Sequence, residues 1–300
     1  MDFYMLQCIE NLINKWKLEQ VVLPIQYDLI LDGGAFNGSY TLGVLMYFKE
    51  LTKKNYISIQ RISGTSIGSI MGMLYIADHL QYGTLLYSKF FSCFKKKGSL
   101  RILKKQIYKI ISKLNDDFYL ECCNRLFISY FDCKNNQQII KGEYTSNNDL
   151  AQSIFKSSFV PYLIDDNLLY KSKYIDGLYP YIFPQTIGRK RIFVDLTHNI
   201  RNMLYVKNEI NNCERIIEGM LDLHFLLFNN RSKKMCSFVD DWNIVQRYGF
   251  YTRKFYTDLF IYIIYIYINN FSSVQKNTFR KKLKDIYVQF IKLILTQFFV

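Results

Sequence analysis

Two glycine-rich loops, each between a predicted strand and a predicted helix, constrain the fold of this chain more than any other feature. Residues 27–32 (YDLILD) predict a strand that runs directly into GGAFNG at 33–38, and apolar residues at helical spacing follow. Residues 57–62 (ISIQRI) predict a second strand, which turns through SGTSIG into an apolar helix. Two consecutive units of this kind place both loops at the carboxyl ends of neighbouring parallel strands, where open α/β sheets form their active sites. The sequence therefore predicts an α/β fold with a mainly parallel sheet.

The second loop carries a GxSxG sequence that runs from Gly64 to Gly68 with Ser66 at its centre. In a strand-to-helix turn of this type the serine backbone is strained, and the flanking glycines let neighbouring chain pass close by. The hydroxyl is then exposed at the N-terminus of the helix. A tight turn with a capping serine would explain the same residues, but the strand-turn-helix context favours a nucleophile.

The first loop fits an oxyanion hole better than a nucleotide site. It lacks the GK[ST] ending of a P-loop, and Ala35 stands where a dinucleotide fingerprint needs its second glycine. A row of free backbone N–H groups that leads into a helix, beside a nucleophile, suits a developing negative charge.

A serine nucleophile needs a base, and Asp176 has the most recognisable context. It stands in YIDGL at the end of a predicted strand, directly before Gly177. A lone DG pair is more often a type I′ turn. None of the three histidines, His79, His198 and His224, adjoins a motif.

Together these motifs resemble the patatin-like phospholipases. That family has a DGGGxRG loop, then GxSxG, then a DG[GA] that carries the base of a Ser-Asp dyad, and residues 32–38, 64–68 and 176–178 follow in that order. The segments GSYTLGVLMYFKEL, AQSIFKSSFVPYL and YIDGLYPYIFP are also similar to the family, so the resemblance spans about residues 27–196. It implies a three-layer α/β/α fold, phospholipase A-type lipid acyl hydrolysis, membrane lipids as substrate, and no cofactor, metal or calcium dependence.

By this resemblance, Ser66 attacks the ester carbonyl and Asp176 takes its proton directly. Water then releases the fatty acid from the acyl-enzyme. The implied oxyanion donors are backbone N–H groups of the first loop: Gly33, Gly34 and Ala35. The glycines that support the three motifs are Gly38, Gly64, Gly68 and Gly177.

Three residues depart from the pattern of the family. Ala35 replaces the third glycine, which is harmless unless that position needs a positive φ. Asn37 replaces the basic residue of the loop, and Leu178 replaces the small residue after DG. None of these changes removes a group from the dyad, so we expect an active enzyme rather than a degenerate, membrane-binding relative.

An α/β-hydrolase triad is the alternative enzyme. Ser66, then Asp176 or Asp195, then His198 or His224 follow the Ser-Asp-His order of that fold. Only two predicted strands fit ahead of Ser66, however, and that fold normally places several strands before its nucleophile.

The formal charge of +14 points to an anionic partner, either nucleic acid or an acidic lipid surface, although A/T-rich coding sequence also produces such a composition. Residues 89–114 hold nine Lys and Arg and no acid, and predict a basic amphipathic helix from Leu100 onward. Its apolar stripe either packs on the sheet or faces lipid. Aromatic residues directly before lysines resemble an interfacial anchor, which with the lipase motifs favours acidic phospholipid over nucleic acid. The expected membrane contacts are Phe90, Phe91, Phe94, Lys95, Lys96 and Lys97.

The remaining sequence favours a cytoplasmic protein that binds membranes peripherally. Seven cysteines without CxxC spacing indicate a reducing compartment, and an acid at position 2 argues against a signal peptide. The apolar run at 259–268 is about half the length of a membrane-spanning helix, so we expect a buried element, with an interfacial segment as the alternative.

Further strands are predicted at 138–141 and 191–196, and a second basic amphipathic helix at 279–290. We expect a helical lead-in, a patatin-like catalytic core, and a mainly helical C-terminal portion packed on that core: residues 1–26, 27–200 and 201–300.

Overall fold

A computed structural model shows how the chain folds. It describes residues 3–14, 24–197, 203, 209, 211–229, 235–270 and 273–298. Among these residues no helix combines the length and the apolar character needed to cross a bilayer.

The seven strands of the described chain belong to one sheet. They are β1 (Ile25–Leu31), β2 (Ile57–Gly64), β3 (Leu126–Asp132), β4 (Gln137–Lys141), β5 (Tyr174–Ile175), β6 (Arg189–Val194) and β7 (Cys236–Phe238). Their order is β4-β3-β2-β1-β6-β7, and β5 pairs with β3. Pairing is parallel through β3, β2, β1 and β6, whereas β4, β5 and β7 are antiparallel to their neighbours. The predicted mainly parallel sheet is confirmed.

Ten α-helices of the described chain pack around this sheet. They are α1 (Phe3–Asn14), α2 (Gly38–Lys53), α3 (Ile67–Ile76), α4 (Gln81–Lys97), α5 (Leu103–Ile111), α6 (Phe118–Cys122), α7 (Asn147–Ser157), α8 (Cys213–Asn229), α9 (Ile244–Asn270) and α10 (Ser273–Phe298).

Both faces of the sheet are covered, which gives the three layers. In β1 the side chains of Leu29 and Leu31 join the core formed with α2 and α3. Ile30, which points to the opposite face, packs with Phe183 and Phe193 instead. Because both faces of this central strand are buried, its sequence is continuously apolar rather than alternating.

Helix α9 covers the second face. Its Ile261 and Ile264 pack with Phe131 of β3 and with Ile175 of β5. The C-terminal portion therefore closes the layer next to the strand that precedes Asp176. Strand β7 also pairs with β6, so residues after 200 contribute to the same sheet.

The predicted strands at 27–32, 57–62, 138–141 and 191–196 correspond to β1, β2, β4 and β6. Strands β3 and β7 were not predicted. The expectation of a buried element at 259–268 is wrong for one side of α9, because Ile261 and Ile264 are buried whereas the intervening Tyr262 and Ile263 are about half exposed.

The basic segment 89–114 contains the end of α4 and all of α5, and α5 confirms the amphipathic helix predicted from Leu100 onward. Helix α4 ends at Lys97 and is followed by Gly98 in the left-handed conformation (φ 58°). Helix α5 then buries Leu103, Ile107 and Ile110 against the core. Its lysines lie on the exposed side. The apolar stripe of this segment is therefore used for packing within the protein.

Candidate active site

Ser66 occupies a strained turn between β2 and α3. Strand β2 ends at Gly64, α3 begins at Ile67, and Ser66 between them has φ 52° and ψ −125°. Positive φ is costly for a residue with a side chain, and it persists only where surrounding structure enforces it. The close approach requires a glycine at position 68, because a Cβ there would lie 2.4 Å from the carbonyl oxygen of Leu31. The turn thus has the geometry that the GxSxG sequence predicts.

Asp176 follows β5 and is buried beside this turn. Its Oδ1 accepts a hydrogen bond of 2.9 Å from the backbone N–H of Leu178. Its buried Oδ2 has no partner of good hydrogen-bond geometry among the described residues. Burial raises the pKa of Asp176 to about 6, against lowering contributions from the Leu178 N–H and the nearby Ser66 hydroxyl. The carboxyl is therefore next to the serine and more basic than an ordinary aspartate.

Gly177 allows the two motifs to meet. A Cβ at this position would lie 2.1 Å from Thr65 Oγ1 and 2.2 Å from the carbonyl oxygen of Ser129. Any side chain would push Asp176 away from the turn that holds Ser66. The DG pair is consequently a packing requirement as well as a turn.

Ser157, at the end of α7, joins the two motifs through hydrogen bonds. The N–H of Ser66 donates to both the carbonyl oxygen (3.1 Å) and the Oγ (3.0 Å) of Ser157, and the N–H of Gly177 donates to the same carbonyl (3.3 Å). The Ser157 hydroxyl in turn donates to the carbonyl of Ser129 at 2.6 Å. Sequence reasoning did not single out Ser157, although it lies in a segment that resembles the family.

The first glycine loop lies against Ser66, since a Cβ at Gly33 would be 3.0 Å from the Cβ of Ser66. The N–H of Gly33 donates to Asp32 Oδ1 at 2.8 Å, so this donor already has an acceptor in this conformation, and the oxyanion role expected for Gly33 stays a prediction. The N–H groups of Gly34 and Ala35 have no acceptor among the described residues. These two N–H groups are therefore available as donors.

Two of the three departures from the family pattern stand at positive φ. Ala35 has φ 45° and Leu178 has φ 56°. The left-handed conformation costs an L-residue roughly 1–2 kcal/mol. Ala35 therefore stands at a position with positive φ, where replacing glycine has a cost. Both residues store local strain beside Ser66.

The third departure, Asn37, is hydrogen-bonded to a cationic side chain from another element. Its Oδ1 accepts a hydrogen bond from the guanidinium of Arg215 on α8, and its Nδ2 donates to the carbonyl of Leu196 at 2.9 Å. Arg215 is buried and also pairs with Glu209. A guanidinium thus reaches the glycine loop although the loop itself has lost its basic residue.

Arg253 of α9 links the start of the first glycine loop to the segment after the DG pair. Sequence reasoning did not predict this residue. Its guanidinium donates to both carboxylate oxygens of Asp32, at 2.5 and 2.7 Å, and to the backbone carbonyl of Leu178. Asp32 precedes the glycine loop, and Leu178 follows the DG pair. One side chain from the C-terminal portion therefore fixes the two backbone segments that flank Ser66.

Burial also raises the pKa of Asp32, to about 6, and the facing Arg253 lowers it. The charge of Asp32 raises the pKa of Asp176, the charge of Asp195 raises that of Asp32, and Arg253 is close enough to interact with all three carboxylates. The site therefore contains two buried carboxyls beside one guanidinium.

The described histidines lie away from Ser66. Nδ1 of His224 is hydrogen-bonded to the hydroxyl of Tyr47 at 2.8 Å, and its ring stacks on Phe228. His79 contacts the backbone carbonyl of Asp78. His198, the other candidate for a triad, lies outside the described residues.

The predicted membrane anchor is only partly exposed. Phe90 and Phe94 are buried, and the rings of Phe91 and Phe94 pack edge-on against Phe36. The expectation that this aromatic cluster enters lipid is wrong for Phe90 and Phe94, because both belong to the protein core. The lysines of the cluster, Lys95, Lys96 and Lys97, are exposed.

We expect Arg253→Gln to destabilise the protein by about 3–5 kcal/mol, because it leaves the buried Asp32 carboxylate without its cation. Adding Asp32→Asn should recover most of that loss, since no buried charge then lacks a partner. Urea unfolding at a pH well above 6 measures both effects. The matched control is Arg247→Gln near the start of α9, an exposed residue whose guanidinium donates to the backbone carbonyl of Trp242 and pairs with no described carboxylate, so its loss should change stability by about 1 kcal/mol or less. Equal effects of the Arg247 and Arg253 substitutions would contradict this account of the ion pair.

Comparison with known proteins identifies a family over the part of the chain that holds these motifs. No curated protein gives a significant match to the chain. The sequence model of the family described as Patatin-like phospholipase matches residues 29–181, which include the glycine loop, Ser66 and Asp176. Because this match covers just over half of the chain and all three motifs, the protein belongs to the patatin-like phospholipase family.

Proposed function

We propose that this hydrolase acts on lipids as a phospholipase A-type acyl hydrolase, with Ser66 as nucleophile and Asp176 as its base. One observation carries the proposal: a serine in a strained turn adjoins a buried carboxyl whose Oδ2 has no other partner among the described residues. Family membership supports the lipid substrate. The two side chains supply the pairing of nucleophile and base that such chemistry needs.

In the proposed reaction, Ser66 Oγ attacks the ester carbonyl carbon while its proton passes to Asp176 Oδ2. The tetrahedral oxyanion accepts hydrogen bonds from the N–H groups of Gly34 and Ala35. Collapse breaks the ester bond, and the departing alkoxide takes the proton from Asp176. Water then attacks the acyl-Ser66 ester, again with Asp176 as base, and the fatty acid is released.

Gly33 has a supporting part in this proposal. Its N–H donates to Asp32, which in turn pairs with Arg253. These contacts hold the loop so that the next two N–H groups point away from the protein's own acceptors. Removing one oxyanion donor typically costs about 10²–10³ in kcat, so the position of this loop matters as much as a catalytic side chain.

The exposed Lys95, Lys96 and Lys97 support peripheral binding to an acidic phospholipid surface. In the proposal they attract headgroups electrostatically, at about 1 kcal/mol for each lysine near the surface, without insertion of Phe90 or Phe94. A lipid surface rather than nucleic acid is the proposed partner, because a lipid hydrolase must reach its substrate at an interface.

Ser66→Ala and Asp176→Asn should each reduce fatty-acid release from mixed phospholipid vesicles by about a thousandfold or more, since nucleophile and base act as a unit. His198→Ala and His224→Gln are the controls and should retain activity, because neither side chain is part of the dyad. A thousandfold loss from either histidine substitution, in a folded protein, would instead support the Ser-Asp-His triad.

Activity should fall as the pH drops through about 6, because protonation of Asp176 removes the base. The value of kcat/KM is expected to decrease about tenfold for each pH unit below that point. A pH profile on a soluble ester measures this without changing a vesicle surface. A profile that stays flat down to an ordinary aspartate pKa would exclude Asp176 as the base.

The burial of Asp176 also lowers the free energy of unfolding at neutral pH. Its folded pKa of about 6 exceeds the ordinary 3.8, so the native state binds the proton more tightly than the unfolded chain. Stability therefore declines as the pH rises between these values. Asp176→Asn should raise the free energy of unfolding by roughly 2–3 kcal/mol above pH 6, and the gain should disappear at low pH. Urea unfolding across this range tests the burial independently of catalysis.

A further inference from the structure

Helix α9 exposes a large apolar surface that the catalytic mechanism does not use. Seven apolar side chains on one side of the helix have exposed fractions between 43% and 72%, and we call them the α9 outer face: Tyr248, Tyr251, Phe255, Tyr256, Leu259, Tyr262 and Ile263. From first to last they extend about 22 Å along the helix. Contiguous exposed apolar surfaces of this kind usually mark interaction sites in soluble proteins.

The charged residues of α9 lie outside this face. At about 100° per residue, the outer face spans one side of the helix, and Arg247, Arg253, Lys254 and Asp258 fall on the remaining arc. Arg253 points inward to Asp32, and Asp258 accepts a hydrogen bond from Tyr179 at 2.8 Å. The helix therefore has an uncharged outer side and an inner side tied to the active site.

The adjacent sequence is strongly basic. Residues 244–298 contain nine Lys and Arg and two Asp. Arg280, Lys281 and Lys282 of α10 are exposed, as are the apolar Phe279 and Ile286 of the same helix. The ring of Phe279 packs on that of Tyr267, so this basic helix lies against α9. An apolar, aromatic face next to a basic helix is complementary to a bilayer with acidic headgroups, where aromatic rings occupy the interface and cations meet phosphate.

We propose that the α9 outer face is the surface with which this protein docks on an acidic phospholipid bilayer. Tyr251 and Phe255 of this face flank Arg253 in sequence, so the turn of α9 that contacts the lipid also contacts the catalytic loop. A helix is about 10 Å across, so docking places the candidate active site about one helix diameter from the bilayer surface. The inference rests on the proposed function for its substrate, but the binding it claims is independent of catalysis.

Co-sedimentation with mixed phosphatidylcholine and phosphatidylserine vesicles tests the proposal. All proteins carry Ser66→Ala, which prevents hydrolysis under the proposed mechanism and is the same in every arm, so differences in binding report on the substituted surface. Phe255→Gln with Leu259→Gln removes two side chains from the α9 outer face and keeps good helix formers at exposed positions. The matched control, Leu120→Gln with Ile187→Gln, removes two exposed apolar side chains elsewhere.

We expect the outer-face variant to partition into vesicles at least about tenfold more weakly than the parent, and the control variant to bind like the parent. Circular dichroism and thermal unfolding verify that both variants fold. Equal binding by all three proteins would overturn the proposal. So would light scattering that shows a dimeric parent and a monomeric outer-face variant with unchanged vesicle binding, because the face would then join two copies of the chain.

A separate co-sedimentation experiment tests α4, using a variant that combines Lys95→Gln, Lys96→Gln and Lys97→Gln. If α9 is the docking surface, this variant should lose part of its electrostatic attraction but retain partition that resists added salt. If the lysine variant loses all binding while the outer-face variant loses none, the docking surface is α4 and the assignment to α9 is wrong.

Discussion

The structure depends on how two buried carboxyls, Asp32 and Asp176, are accommodated beside one guanidinium. Burial raises the pKa of both carboxyls, and the charge of Asp32 raises that of Asp176 further. The two-point ion pair between Arg253 and Asp32 offsets part of that cost. Because Arg253 belongs to α9, the C-terminal portion is required by the electrostatics of the site, although the family match ends at residue 181.

Local motifs predicted the part of the site that lies close to each strand end. The turns around Ser66 and Gly177 are enforced by sterics within a few residues, so their sequences carry the information. Ser157, Arg215 and Arg253 were missed because each acts across a long sequence separation, through contacts that no local spacing records. Only the folded sheet brings these three side chains to the same edge.

Burial was the least predictable property. The run at 259–268 and the cluster at 90–94 are both rich in large apolar residues, yet the structure exposes one side of the first and buries most of the second. Composition determines how much apolar surface a segment has, whereas neighbouring elements determine where that surface faces. Phe94 meets Phe36 of the glycine loop, but no described element covers Tyr262 or Ile263 on the outer side of α9.

The proposed dyad explains why the base is buried at all. An aspartate in water, with a pKa near 3.9, is a weak base for a serine hydroxyl at neutral pH. Burial makes Asp176 more basic, but burial without a nearby cation would leave it protonated and unable to accept the proton. Arg253 lowers the pKa of Asp176, and so do the N–H of Leu178 and the hydroxyl of Ser66. A pKa of about 6 is higher than that of an ordinary aspartate but still below neutral pH, so the carboxyl is both ionised and usefully basic there. The same balance requires Leu178 to keep its strained backbone, since the N–H and carbonyl that hold Asp176 and Arg253 belong to that residue.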